Sequence, residues 1–218
     1  MDSAKMCGFL ATSCVLLLTL LGDPTEACSC APSHPQTAYC NADVVIRCKF
    51  VGNGTRSGLS VQYEIKTTKV YKGSEAMQEL RFLHTPAMAS VCGYEHKENH
   101  QGEEYVIAGM LDNNLVRISA CSFIQPWAQL TPEQRRGLSL DYSKGCSCQI
   151  VPCYSMPCSV DSNSQCLWTD GIVNQMWNGG SQDKSAACLP KSGNPGLCTW
   201  QSLKSEKSGF LRKARLRQ

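Results

Sequence analysis

From Asp43 to Val51 the chain alternates: Val44, Ile46, Cys48 and Phe50 share one parity, and Val45, Arg47, Lys49 and Val51 share the other. A period of two is that of a β-strand, so the stretch predicts a strand with Cys48 on the same face as Val44, Ile46 and Phe50. Further β-rich runs follow at Val61 to Tyr71, Glu79 to Leu83, Tyr105 to Leu111 and Leu115 to Phe123, divided by Gly, Asn and Pro. Five short strands of this kind predict a small closed or nearly closed barrel rather than a parallel sheet with crossover helices. One helix start is legible after them. Thr131 can cap, Pro132 suits the first helical position, Gln134 completes a capping box, and Gly137 ends the element.

The two ends carry other patterns. Lys5 precedes an apolar stretch from Val15 to Leu21, Pro24 breaks any helix, and Thr25-Glu26-Ala27 sets small residues where signal peptidase needs them. The expectation is a secreted, extracellular protein that loses residues 1–27 and begins at Cys28. The apolar run is too short for a bilayer and nothing later approaches about 18 uninterrupted apolar residues, so no membrane span is expected. Cys148, Cys153, Cys158, Cys166, Cys188 and Cys198 crowd a stretch with few long apolar runs, which marks a disulfide-held module at 147–202 after a first domain at 28–146. Residues 203–218 form a basic tail in which Lys204, Lys207, Arg212, Lys213, Arg215 and Arg217 meet one acid, Glu206. Such a tail reads as a solvated terminus or, more sharply, as a segment that retains the protein on heparan sulfate or another matrix polyanion.

A formal net charge of +3 excludes a strongly basic nucleic-acid binder, and an apolar content of 42% is enough to build a core. Fifteen cysteines point to an oxidising compartment. Cys7 and Cys14 leave with the leader, so an odd number remains. The candidate chemistry lies at the new terminus, Cys28-Ser29-Cys30. An α-amino nitrogen and the carbonyl oxygen of its own residue form a five-membered chelate with a metal. With a pKa of about 7.7 to 8.0 the amine gives up its proton near neutral pH for well under about 1 kcal/mol, whereas a lysine would need about 4 kcal/mol. Disulfides leaving Cys28 and Cys30 would hold this chelate in place before binding; the plainer reading is that both merely staple the terminus.

Other motifs carry less. Cys28-Ser29-Cys30 and Cys146-Ser147-Cys148 have the look of zinc-binding pairs, but disulfides are the better reading in an oxidising compartment. His96 and His100 lack the His-Glu-x-x-His order of a zinc protease, and their segment reads as a solvated loop. No nucleophile elbow is present, so no enzyme is expected. Asn53-Gly54-Thr55 is an N-glycosylation acceptor on a Gly-rich turn.

Cys28-Ser29-Cys30-Ala31-Pro32-Ser33-His34-Pro35-Gln36, followed by Cys40-Asn41-Ala42-Asp43-Val44-Val45-Ile46-Arg47, resembles the amino terminus of a tissue inhibitor of metalloproteinases. The resemblance continues through Tyr63-Glu64-Ile65-Lys66, Val91-Cys92-Gly93, Gly145-Cys146-Ser147-Cys148 and Cys166-Leu167-Trp168-Thr169-Asp170, and weakens after Asp170. It implies a mainly β fold: a five-stranded OB-type, netrin-like barrel with short helices, then a small disulfide-rich β domain. It also implies the pairs Cys28–Cys92, Cys30–Cys121, Cys40–Cys146, Cys148–Cys198, Cys153–Cys158 and Cys166–Cys188, which leave Cys48 as the free thiol.

The activity implied is reversible, stoichiometric inhibition of matrix metalloproteinases. The Cys28 amino nitrogen and carbonyl oxygen would ligate the protease's zinc and displace its nucleophilic water. Ser29 would enter the primary specificity pocket, while Cys30, Ala31, Pro32 and the Ser90-Val91-Cys92 strand occupy the substrate cleft. The protein would hold no cofactor of its own, zinc being bound only as part of the target. Two departures stand out. Some relatives end in an acidic tail that docks a gelatinase proenzyme, whereas this tail is basic; and Cys48 stands where relatives have a small apolar residue, reading as a buried, inert thiol with intermolecular pairing or disulfide reshuffling as its alternative. The alternative for the whole chain is a non-inhibitory netrin-like module that binds matrix or heparin, and a metalloenzyme would require zinc of its own.

Overall fold

A computed structural model of the chain describes residues 28–97 and 102–204. The expected leader, His100 and almost all of the basic tail lie outside the described residues. Seven strands, β1 (Val44–Phe50), β2 (Thr55–Ser57), β3 (Ser60–Lys72), β4 (Phe82–Pro86), β5 (Glu104–Asp112), β6 (Leu115–Arg117) and β7 (Ile124–Pro126), form one sheet. Strand β1 pairs with β3 on one side and β5 on the other, and β3–β4–β6–β5 completes the circuit, so five strands close a barrel. Closure removes the open edges that would otherwise invite aggregation.

The parity read from β1 is the one the barrel uses. Val44, Ile46, Cys48 and Phe50 join Tyr63, Ile65, Leu83, Tyr105, Ile107, Val116 and Ile118 in the interior. Val45, of the opposite parity, is buried too, because the outer wall of the barrel carries a second core with Tyr39, Val106, Ala108, Leu130, Leu138, Tyr142, Ala187 and Leu203. Each such aliphatic side chain removed from water stabilises by about 1.5–3 kcal/mol, so both faces of β1 hold the fold.

Several expected strand limits move. The run expected at Glu79 to Leu83 is instead a 3-10 turn at Glu75–Glu79 followed by β4, because β3 offers its partners at Phe82 to Pro86. Of the run from Leu115 to Phe123 only Leu115–Arg117 is strand, as β6; β7 begins just beyond it at Ile124, and the two pair with different parts of β5.

Helix α1 (Pro35–Asn41) has no counterpart among the expected elements; His34 caps it, its Nδ1 accepting from the Gln36 N–H at 3.1 Å. Helix α2 (Pro132–Arg136) has the expected capping box, Thr131 Oγ1 and the Gln134 side chain each accepting from the other's backbone N–H. After Gly137 the chain stays right-handed through a π turn to Asp141.

The remaining chain forms β8 (Gln149–Pro152), β9 (Gln165–Trp168), α3 (Asp170–Val173), α4 (Ser181–Ser185), β10 (Ala186–Lys191) and β11 (Asn194–Ser202). Its interior is largely sulfur and indole: Cys148, Cys166, Cys188 and Cys198 with Ile150 and Trp200. The two halves are stitched at α1. Gln36, 1% exposed, donates from Nε2 to the carbonyls of Gly145 (2.9 Å) and Cys188 (2.7 Å) and accepts from the Cys188 N–H at 2.8 Å. No helix among the described residues is long and apolar enough to cross a membrane.

Candidate functional site

The segment Cys28 to Ser33 runs along the surface before His34 enters the core. Two disulfides hold it. Cys28 is bonded to Cys92 and Cys30 to Cys121, each with a Cα–Cα separation of 5.3 Å. The Sγ atoms of Cys28 and Cys121 are 3.7 Å apart, so the bridges also pack against each other. Ser29, Cys30 and Ala31 are exposed and Pro32 half-buried.

Cys92 closes the neighbouring ridge. Ala89–Val91 is a 3-10 turn and not the strand expected around Ser90 to Cys92; Cys92 ends it in the left-handed region at φ 58°. The Gly93 N–H returns to the Met88 carbonyl at 3.0 Å, and a Cβ on Gly93 would lie 2.3 Å from the Pro86 oxygen. Only glycine lets the chain approach β4 this closely. The Cys92 carbonyl accepts from the Ala120 N–H at 2.8 Å, tying the ridge to the loop that carries Cys121. Met88, Ser90 and Val91 are exposed, with Val91 at 52%. The expected contact residues Cys28, Ser29, Cys30, Ala31, Pro32, Ser90, Val91 and Cys92 thus form two adjacent surface ridges joined by one disulfide.

Behind Cys30 to Ser33 lies a groove of about 430 Å³ whose far wall is Asn178, Gly179, Asp183 and Lys184. Nothing in the strand pattern pointed to these residues. His34, 1% exposed, anchors the segment between the halves: its ring sits against Trp168, Trp200 and Tyr142, and Nε2 meets the Gln182 carbonyl at 3.0 Å. With Nδ1 accepting from Gln36, Nε2 carries the proton. Burial lowers the His34 pKa to about 4 against weaker upward pulls from the Gln182 carbonyl and Asp170, so the ring stays neutral.

Cysteine chemistry elsewhere is settled by pairing. Cys40–Cys146, Cys148–Cys198, Cys153–Cys158 and Cys166–Cys188 are disulfides, and Cys48 is the free cysteine among the described residues. Two triplets of sulfur atoms, Cys28, Cys92, Cys121 and Cys148, Cys188, Cys198, lie within 4.8 Å of one another. Every one of the six is oxidised, which leaves no thiolate for zinc. His96 departs from the solvated loop expected for it: its ring stacks on Phe50 at 3.8 Å, Nδ1 lies 3.0 Å from the Tyr94 hydroxyl, and its N–H donates to the Tyr63 hydroxyl. Asn53 is exposed between β1 and β2.

Comparison with known proteins adds to this geometry. The family model "Tissue inhibitor of metalloproteinase" matches residues 26–200. The chain belongs to the tissue inhibitor of metalloproteinase family. It is 40% identical to metalloproteinase inhibitor 3 of Xenopus laevis over 197 residues, covering 88% of this chain and 89% of that protein. With metalloproteinase inhibitor 2 of Gallus gallus the identity is 37% over 222 residues, covering 97% and 98%. For metalloproteinase inhibitor 2 of Bos taurus it is 40% over 197 residues, covering 86% and 87%. Within the family match fall both surface ridges, the six disulfides and the Gln36 joint.

Proposed function

We propose that the chain is a secreted, reversible, one-to-one inhibitor of zinc metalloproteinases of the matrix class, with Cys28 as the mature amino terminus. The Cys28 nitrogen and carbonyl oxygen chelate the protease's zinc and take the place of its attacking water. Ser29 enters the specificity pocket, and Ala31, Pro32, Ser90 and Val91 lie along the cleft. The single observation that supports this reading is the cross-linked pair of exposed ridges. Bridges at residue 28 itself and at residue 30 restrict the chelating residue and the chain that follows it, so little ordering entropy is lost on binding.

Titrating an active matrix metalloproteinase with protein beginning at Cys28 is expected to give tight, stoichiometric loss of activity. One alanine added before Cys28 converts the amine to an amide, and inhibition is then expected to vanish. Equal inhibition by the extended protein would refute chelation through the terminus.

A second reading, retention on a sulfated matrix polyanion, has its own support on the barrel. Arg47 faces Lys69 and Lys49 faces Lys66 across the β1–β3 pairing, on the parity opposite the core. Like charges directly opposite in a sheet are destabilising, and Glu104 lies against them, 3.4 Å from Arg47. Heparin retention that persists after removal of residues 205–218 but drops in a Lys66→Gln, Lys69→Gln variant would assign it to the barrel. The reverse result would assign it to the tail.

A further inference from the structure

The turn between α3 and α4 holds Asn178-Gly179-Gly180. An asparagine followed by glycine is the pair most prone to lose ammonia, because no Cβ shields the following backbone nitrogen. Asn178 is exposed on the wall of the groove, and among the described residues no hydrogen bond engages its carboxamide. What sets this pair apart is its neighbour. The Gly179 N–H donates to Asp183 Oδ2 at 3.0 Å, and Asp183 is 6% exposed. The Lys184 Nζ lies 3.5 Å from where a Cβ on Gly179 would stand. Nucleophile, carbonyl carbon, base and cation are therefore gathered in seven consecutive residues.

We propose that Asn178 is a self-modification site at which Asp183 acts as general base for succinimide closure onto the Gly179 nitrogen. The Gly179 nitrogen bonds to the Asn178 side-chain carbonyl carbon as its proton passes to the Asp183 carboxylate. The tetrahedral carbon then expels the side-chain nitrogen, which takes that proton back and leaves as ammonia. Solvent water opens the ring at either carbonyl, leaving an aspartyl or isoaspartyl residue at position 178. Lys184 supports the negative charge that develops on oxygen. A general base must sit within hydrogen-bond reach of the proton it takes, with a pKa near the working pH. Burial, with Asp170 adding to it against the Gly179 and Lys184 contacts, pushes the Asp183 carboxyl up to about 6.

The product reaches beyond the turn. Gly180 packs closely on Asp170, a Cβ there lying 2.0 Å from Asp170 Cγ, so a chain lengthened at position 178 by the extra methylene of an isoaspartyl link shifts the residue that Asp170 packs against. Asp170 accepts from the Gln182 and Asp183 N–H groups, and the Gln182 carbonyl is the partner of His34. Modification of Asn178 thus loosens the joint that anchors the Cys28 to Ser33 segment.

The test is incubation of the mature full chain near neutral pH for days, then acid-quenched digestion, peptide mass mapping and isoaspartyl methyltransferase labelling. A synthetic peptide spanning residues 174–184 is run beside it. The folded chain is expected to convert faster than the peptide. Asp183→Asn, which keeps the acceptor oxygen but loses its basicity, is expected to slow conversion on the order of tenfold or more. Asn178→Gln is expected to yield no product there. Conversion in the folded chain no faster than in the peptide would overturn the proposal without recourse to any variant. So would Asp183→Asn converting as fast as, or faster than, the parent, which would make Asp183 a guard instead of a base.

Discussion

Cys48 is fully buried in the barrel, and burial pushes its thiol up to about 12, with Glu104 adding to the shift. Near pH 8, iodoacetamide is therefore expected to label no cysteine in the folded mature protein and one after denaturation without reductant, read by intact mass. Replacing the sulfur by a hydroxyl in Cys48→Ser is expected to cost about 1–3 kcal/mol in denaturant unfolding, because the interior offers an apolar wall. His34 and Asp183 oppose each other in pH dependence. His34 titrates at 6.5 when unfolded and about 4 when folded, so its effect is a loss of stability as pH falls through that window. Asp183 titrates at 3.8 unfolded and about 6 folded, so its contribution is full below 3.8 and is lost as pH rises through 6. Asp183→Asn is accordingly expected to gain about 1–3 kcal/mol near neutral pH and to lose stability more steeply than the parent between pH 6 and pH 4. Urea midpoints across that range check both statements. Strand parity placed Cys48, but nothing in the sequence marked His34 or Asp183, since burial of a polar side chain depends on elements far away in the chain.

At the scale of elements, the ridges depend on one glycine. Gly93→Ala drives a Cβ into the Pro86 carbonyl, so β4 or the Cys92 turn has to move. Affinity for a metalloproteinase is expected to fall by at least about tenfold, equivalent to about 1.4 kcal/mol, with all six disulfides still formed in a peptide map. An unchanged inhibition constant would show that the second ridge does not contribute. Strands β1, β3 and β5 were legible because long alternating runs repeat one signal. The limits of β4, β6 and β7 were not, because in runs of three to five residues the partner strand decides where pairing begins. The capping box of α2 was readable because it is local; α1 was not, because its cap is a histidine whose ring is also claimed by Gln182 and two tryptophans.

At the scale of the molecule, the joint rests on Gln36. Gln36→Ala leaves the Cys188 carbonyl and N–H without the partner they have in Gln36, while the Gly145 carbonyl keeps only the Cys148 N–H. It is expected to cost about 2–4 kcal/mol and to broaden or split a single calorimetric transition as the halves uncouple. The β character, the parity of β1, the cysteine-rich second half and, through Cys28 and its neighbours, the family can all be read along the chain. Those features are local or repeat along the chain. That α1 ties the two halves together, that the Ser90 ridge is a 3-10 turn, and that Asp183 meets the Gly179 nitrogen emerge in the folded molecule. Each of these depends on which atoms lose water together, and that is set by contacts between segments the linear pattern treats as unrelated.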